Sequence, residues 1–286
     1  MKNRIVVPID FSSTSHNAYL YARGLAAALG YDLVVTHVQP VLGSSHKVVQ
    51  AVEQMDTVKL NKKLDDFVSN YPESGNGNIL TKVKVSTLIL KGNVVDQLQN
   101  FSVSQSAAFM VIGTRREHNM TEKLLGSVSS KLAQLAPCPT IIVPKGAKYQ
   151  DFKRILFASN YQSADNKIVK QIVDMANIFR ATMHFIHVRQ SDSETTYPKI
   201  EQKIFAQLFK DGDPAFPFEM AAIDDKSSVL KGLTDYANKK DVDLMVLVNW
   251  KRSFLNSILG QSLTQKAVMN LNRPLMVYHL STTAAE

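Results

Sequence analysis

The amino-acid sequence predicts an α/β protein built from two doubly wound parallel-sheet domains. Three observations carry this: the chain repeats itself once, apolar runs rich in β-branched residues punctuate each half, and helix-period patterns lie between those runs. NRIVVPIDFS at residues 3–12 aligns with KRILFASNYQ at 153–162, and THV at 36–38 with IHV at 186–188, both at an offset of 150 residues. FMVIGTRREHNMTEKLLGSVSSKLAQLAPCPTIIVP at 109–144 aligns without a gap to LMVLVNWKRSFLNSILGQSLTQKAVMNLNRPLMVYH at 244–279, now at an offset of 135. The repeat sets domains of 1–147 and 148–286, with the boundary near Gly146 to Asp151.

In the first copy the strands are expected at Arg4 to Ile9, Asp32 to Val38, Val83 to Leu90, Phe109 to Gly113 and Thr140 to Val143. Runs apolar on both faces suit a parallel sheet covered on two sides. Ala18, Tyr21, Ala22, Leu25, Ala28 and Leu29 recur at three- and four-residue steps and predict a helix after the first strand; Ile168, Ile172, Met175, Ala176 and Phe179 predict its counterpart. Alternating strands and helices make a doubly wound, Rossmann-like unit, with ligands expected at the carboxyl ends of its strands.

The chain of 286 residues is 45% hydrophobic and 20% charged, a composition of globular rather than disordered proteins. No apolar stretch approaches the roughly 18 residues of a membrane helix, and the basic N-terminus passes straight into a short run ending in Pro8 and Asp10. Neither a signal peptide nor a membrane anchor is expected. A single cysteine, Cys138, allows no intramolecular disulfide and fits a reducing, cytoplasmic location. The formal charge of +8 favours acidic partners, but the basic residues are scattered, so no specific nucleic-acid binding is expected.

Strong catalytic signatures are missing from the sequence: no Walker A loop, no Gly-x-Gly-x-x-Gly, no His-Glu-x-x-His, no Gly-x-Ser-x-Gly. Chemistry concentrates at two strand ends instead. Asp10 follows the first strand, where its carboxylate can accept from hydroxyls or amines of a ligand; equally, Asp10 or one of the Ser and Thr residues after it can cap the first helix. After the fourth strand come Gly113, Arg115 and Arg116, and then Gly126-Ser127 at the start of a helical pattern. Free amides, a hydroxyl and the positive dipole end at such a helix start suit a phosphate. His37 and His187 occupy matching strand ends but lack carboxylates or cysteines at ligand spacing, so no metal is expected. Met110 and Met245 read as core, Cys138 as an inert thiol, and Trp250 as a surface contact or packing residue.

VVPIDFS, the strand ending in THV, and VIGTRREHNMTEKLLGSVSSKLAQLAPCPTIIVP closely resemble the universal stress protein family, and the whole chain resembles its tandem form. The resemblance implies an adenine nucleotide alpha hydrolase-like fold. It implies a stress-response regulator, not an enzyme, that binds ATP or a related adenine nucleotide, with magnesium, in the N-terminal copy. It also implies unidentified protein partners, and an intramolecular pseudo-dimer in which residues 140–143 meet 275–278, open to further homodimerisation. By the same resemblance Pro8, Ile9 and Asp10 flank adenine and ribose, Val38 meets adenine, and Ile112, Gly113 and Arg115 line the site. Gly126, Ser127 and Val128 hold the phosphates. The family spacing of Gly, two residues, Gly, nine residues, then Gly-Ser holds at Gly113, 116 and Gly126-Ser127, but the middle glycine is Arg116. An arginine there either blocks the loop or makes a charged contact. The second copy departs further: Pro8 corresponds to Ala158, Asp10 to Asn160, Gly113 to Val248, Arg116 to Lys251 and Gly126 to Gln261, while Ser127 is kept as Ser262. A nucleotide-free interaction module of the same fold is the alternative, and an adenylate-hydrolysing enzyme has no base, nucleophile or metal set behind it.

Overall fold

The computed structural model describes residues 3–40, 47–69, 83–114, 127–158, 166–189, 216–224, 229–249 and 273–279, with a few positions between 202 and 214. Two compact units are found, one built on residues 1–114 and 126–149, the other on 150–286. In the first unit β1 (Arg4–Pro8), β2 (Asp32–Gln39), β3 (Val85–Lys91), β4 (Phe109–Gly113) and β5 (Thr140–Val143) alternate with α1 (Ser13–Leu29), α2 (Lys47–Ser69), α3 (Val94–Ser104) and α4 (Ser127–Leu135). All pairings are parallel, in the order β3-β2-β1-β4-β5. In the second unit β6 (Arg154–Ala158), β7 (Thr182–Arg189), β8 (Phe218–Asp224), β9 (Leu244–Asn249) and β10 (Leu275–His279) repeat this as β8-β7-β6-β9-β10, with α5 (Asn166–Phe179) and α6 (Val229–Lys239) described.

Burial explains why the apolar runs become strands. Ile5, Val6 and Val7 of β1 are fully enclosed, as are Ile155, Leu156 and Phe157 at the same places of β6. A strand with covered faces on both sides keeps hydrophobic residues at consecutive positions rather than at alternate ones. β3 differs from that expectation. It starts two residues late and its exposure alternates along the strand, because it is the outermost strand of its unit and pairs only with β2. Tyr19 of α1 donates its hydroxyl to the Val68 carbonyl of α2 at 3.2 Å, and Gln99 of α3 reaches the Leu135 carbonyl of α4 at 2.6 Å. Right-handed crossovers place these two helix pairs on opposite faces of the sheet. Met110 and Met245 lie in the core, as their apolar surroundings require.

Four helices end in one way that pattern reading did not show. The residue after α1, Gly30, has φ 69°; the amide of Tyr31 reaches back to the Ala26 carbonyl at 2.9 Å and that of Gly30 to Ala27 at 3.4 Å. This is the Schellman closure, which needs one left-handed residue. α3, α5 and α6 close likewise around Ser106, Arg180 and Asp241, with φ of 48°, 50° and 50°. Glycine adopts this backbone without steric cost, but a side chain there costs about 1–2 kcal/mol. Arg180→Gly should therefore raise the stability of the second unit by about 0.5–1 kcal/mol, after the greater freedom of glycine in the unfolded chain is allowed for. Urea unfolding followed by a probe in that unit reads this, and Gly30→Arg should lower the first unit's stability.

Candidate functional site

The strand order of the first unit reverses beside β1. From β1 the chain proceeds to β2 and β3 on one side, then returns to β4 and β5 on the other. β1 and β4 are neighbours, with Ile5 opposite Phe109 and Val6 opposite Met110, so their carboxyl ends, followed by Asp10 and Thr114, flank one crevice. Crevices at such reversals are where doubly wound sheets take ligands.

The turn from β1 into α1 is held by its own side chains. The Ser12 hydroxyl accepts the Ser15 amide at 3.2 Å and so caps α1, while the Ser15 hydroxyl donates back to the Ser12 carbonyl at 3.0 Å. Asp10 is not the cap. Its carboxylate accepts the Ser12 amide at 3.0 Å, closing an Asx turn, and its own amide approaches the Ser15 hydroxyl oxygen at 3.4 Å. A serine thus does the capping, and Asp10 presents an exposed carboxylate beside it.

Between them Phe11 takes the left-handed φ of 62°, a strained backbone for an aromatic residue. Its ring is engaged on three sides. Ring centroids of His37 and Phe67 lie 4.8 and 5.9 Å away, and the Lys63 ammonium sits 4.1 Å over its face. His37 also bonds through Nδ1 to the Ile9 carbonyl at 2.9 Å; a carbonyl only accepts, so Nδ1 carries the hydrogen. This histidine acts as a strut between β2 and the end of β1. Among the described residues no cluster of three or more His, Cys, Asp or Glu is placed to hold a metal.

Gly113 closes the other side. A Cβ built on it would lie 2.8 Å from the Thr14 carbonyl carbon and closer still to the oxygen, so the first turn of α1 can rest on β4 only because no side chain intervenes. The Gly113 carbonyl accepts the Ser129 hydroxyl of α4 at 3.2 Å, and the Thr114 amide continues to Val143 at 3.2 Å. Buried Ile9, Val38 and Ile112 lie beneath, Pro8 is half-buried, and Val128 is exposed at the start of α4. Sequence reading missed Thr14, Ser15 and Ser129. The signal for them was the Ser and Thr run after Asp10 and the serines after Ser127, which read as generic helix starts.

Arg115, Arg116, Gly126 and the Ser127 side chain lie outside the described residues, as do Asn160, Trp250, Lys251, Gln261 and Ser262 of the second copy. Where the two copies can be compared, Val248 stands buried at the Gly113 position. Cys138 is buried beside Ser102, and burial pushes its thiol up to about 11, far from a reactive thiolate.

Gly113→Val should cost the first unit about 1–3 kcal/mol, since the Thr14 backbone cannot retreat without losing the turn that holds Asp10. Ser12→Ala should cost about 1 kcal/mol through the lost cap. Denaturant unfolding of both variants checks these values, and a neutral Gly113→Val would mean the helix start is not seated on β4.

The sequence profile of the Universal stress protein family matches residues 1–144. Universal stress protein YxiE of Bacillus subtilis is 27% identical over 152 residues, a stretch covering 50% of this chain and 99% of that relative. A universal stress protein of Methanocaldococcus jannaschii is 25% identical over 152 residues, covering 51% of this chain and 84% of its own. The crystal structure of a universal stress protein from Archaeoglobus fulgidus DSM 4304 superposes over 98% of this chain and 97% of its own with a TM-score of 0.69, at 14% identity, a likeness of fold. With its profile matched over half the length, on the strands and helices that build the crevice, the chain belongs to the universal stress protein family.

Proposed function

We propose that the protein is a stress-response regulator whose N-terminal copy binds one adenine nucleotide, ATP or a relative, at the carboxyl ends of β1 and β4. The observation that carries this reading is the convergence of an exposed, turn-fixed Asp10, the side-chain-free Gly113 and the start of α4 at the point of strand reversal. Each supplies a distinct element of recognition. Asp10 accepts from ribose hydroxyls or the adenine amine; Pro8, Ile9 and Val38 offer apolar surface to the base; Ile112 and Gly113 border the phosphate path. The first amides of α4, at Ser127 and Val128, have no acceptors within the helix and present the positive dipole end to phosphate. Gly126, Arg115 and Arg116 complete the path in this reading, and magnesium enters with the polyphosphate it accompanies.

The second copy is proposed to bind none. Val248 stands where the first copy has Gly113, and Asn160 and Gln261 replace the carboxylate and the loop glycine. Binding rather than catalysis is proposed because, among the described residues, the hydroxyls beside Asp10 are engaged in the turn that caps α1: Ser12 accepts the Ser15 amide and Ser15 donates to the Ser12 carbonyl.

Arg116, in place of a glycine, supports a second reading, an interaction module that takes no nucleotide. Titration calorimetry with ATP, ADP and AMP, with and without magnesium, separates the two. The first reading expects one site per chain and at least a tenfold loss of affinity in Asp10→Ala, the size of one charge-assisted hydrogen bond of about 1.5–3 kcal/mol. Arg116→Gly should tighten ATP if the side chain obstructs the loop and weaken it if the guanidinium contacts phosphate. Two equivalent sites, or no heat with any nucleotide, would overturn the reading; sustained phosphate release abolished by Asp10→Ala would assign an enzyme instead.

A further inference from the structure

The second unit contains a titratable cluster that its repeat partner lacks. His184 of β7 is only 2% exposed, in a side chain that is charged or neutral depending on pH. Around it stand Arg154 from β6, Glu219 from β8, and Tyr236 and Lys240 from α6 and the residue that follows it. His184 Nδ1 lies 3.1 Å from the Tyr236 hydroxyl and 3.5 Å from Glu219 Oε2. The Tyr236 hydroxyl points to the same carboxylate oxygen at 3.5 Å, and the Lys240 ammonium donates to it at 2.7 Å. The corresponding positions of the first unit hold Arg4, Val34, Ser86, Phe101 and Gln105, with no histidine or carboxylate among them, and Arg4 donates there to the Gln105 side chain.

Tyr236 and Glu219 approach Nδ1 of the ring, which leaves Nε2. That atom is buried and has no hydrogen-bond partner among the described residues. The imidazolium carries a hydrogen on both nitrogens, so protonation leaves a buried charged ring with a donor at Nε2 that finds no acceptor among the described residues, an arrangement costlier than the neutral ring.

We propose that His184 is a proton-binding regulatory site that couples the docking of α6 on β7 and β8 to pH, holding the helix at neutral pH and releasing it on mild acidification. Burial holds the His184 pKa below its ordinary value, and the Glu219 carboxylate opposes that shift without reversing it. The sign follows. The opened segment takes up a proton more readily than the closed one, so stability is complete above the ordinary histidine pKa of about 6.5 and declines as pH falls below it. The ligand is the proton, and Val34 stands at the same place in the first unit.

Hydrogen exchange of the full chain, corrected for intrinsic rates and compared at pH 7.5 and 5.5, reads the opening directly. Amides of β7 and α6 should open more readily at the lower pH, by at most about tenfold per pH unit for one proton. His184→Val should abolish the difference. A magnetic-resonance titration of the His184 ring should give a pKa below 6.5, moved lower still in Glu219→Gln, and this variant keeps the test decisive if His184→Val fails to fold. A response that survives His184→Val, or a ring that titrates normally and ignores Glu219→Gln, would overturn the proposal.

Discussion

The first turn of α1 rests on the carboxyl end of β4, against a residue with no side chain. That single contact, Thr14 on Gly113, determines where the helix begins and how close its capping turn lies to the point of strand reversal. Asp10 is fixed by the same turn, through the Ser12 amide and the Ser15 hydroxyl. Ser129 then ties the start of α4 to the Gly113 carbonyl. A carboxylate, a bare strand end and a helix N-terminus are thus gathered by one steric permission.

This gives Gly113 a meaning its spacing alone does not. As part of a phosphate-loop pattern, the glycine reads as room for a ligand; in the fold its missing Cβ direction is filled by the protein's own backbone. The two roles are compatible, because packing α1 onto β4 is what brings Asp10 to the crevice. The second copy carries a buried valine, Val248, at the corresponding position.

The strands and the two amphipathic helices were readable because buried parallel strands and half-buried helices leave strong periodic patterns, and because each appeared twice. β3 was placed two residues early, since an edge strand takes its limits from one neighbour, and that pairing starts where Lys84 accepts the Leu33 amide at 2.8 Å. Ser106, Arg180 and Asp241 could not be recognised as helix terminators. The left-handed residue is dictated by closure of the helix end, and only at Gly30 does the residue type announce it. For Asp10 the sequence leaves open a ligand contact or a helix cap by Asp10 or a following Ser or Thr; that Ser12 does the capping depends on a turn that Phe11 completes with a strained backbone. The His184 cluster joins residues from four separate elements, and no local motif marks it.

The proposed function places adenine nucleotide in the β1–β4 crevice of the first copy and nowhere else. Backbone chemical-shift mapping of the full chain with saturating ATP and magnesium tests this. Shifts are expected only at residues 8–15, 38, 112–114 and the first turn of α4, with none at 158 or 248. Shifts of equal size at both sets of positions, or shifts confined to the second unit, would contradict it.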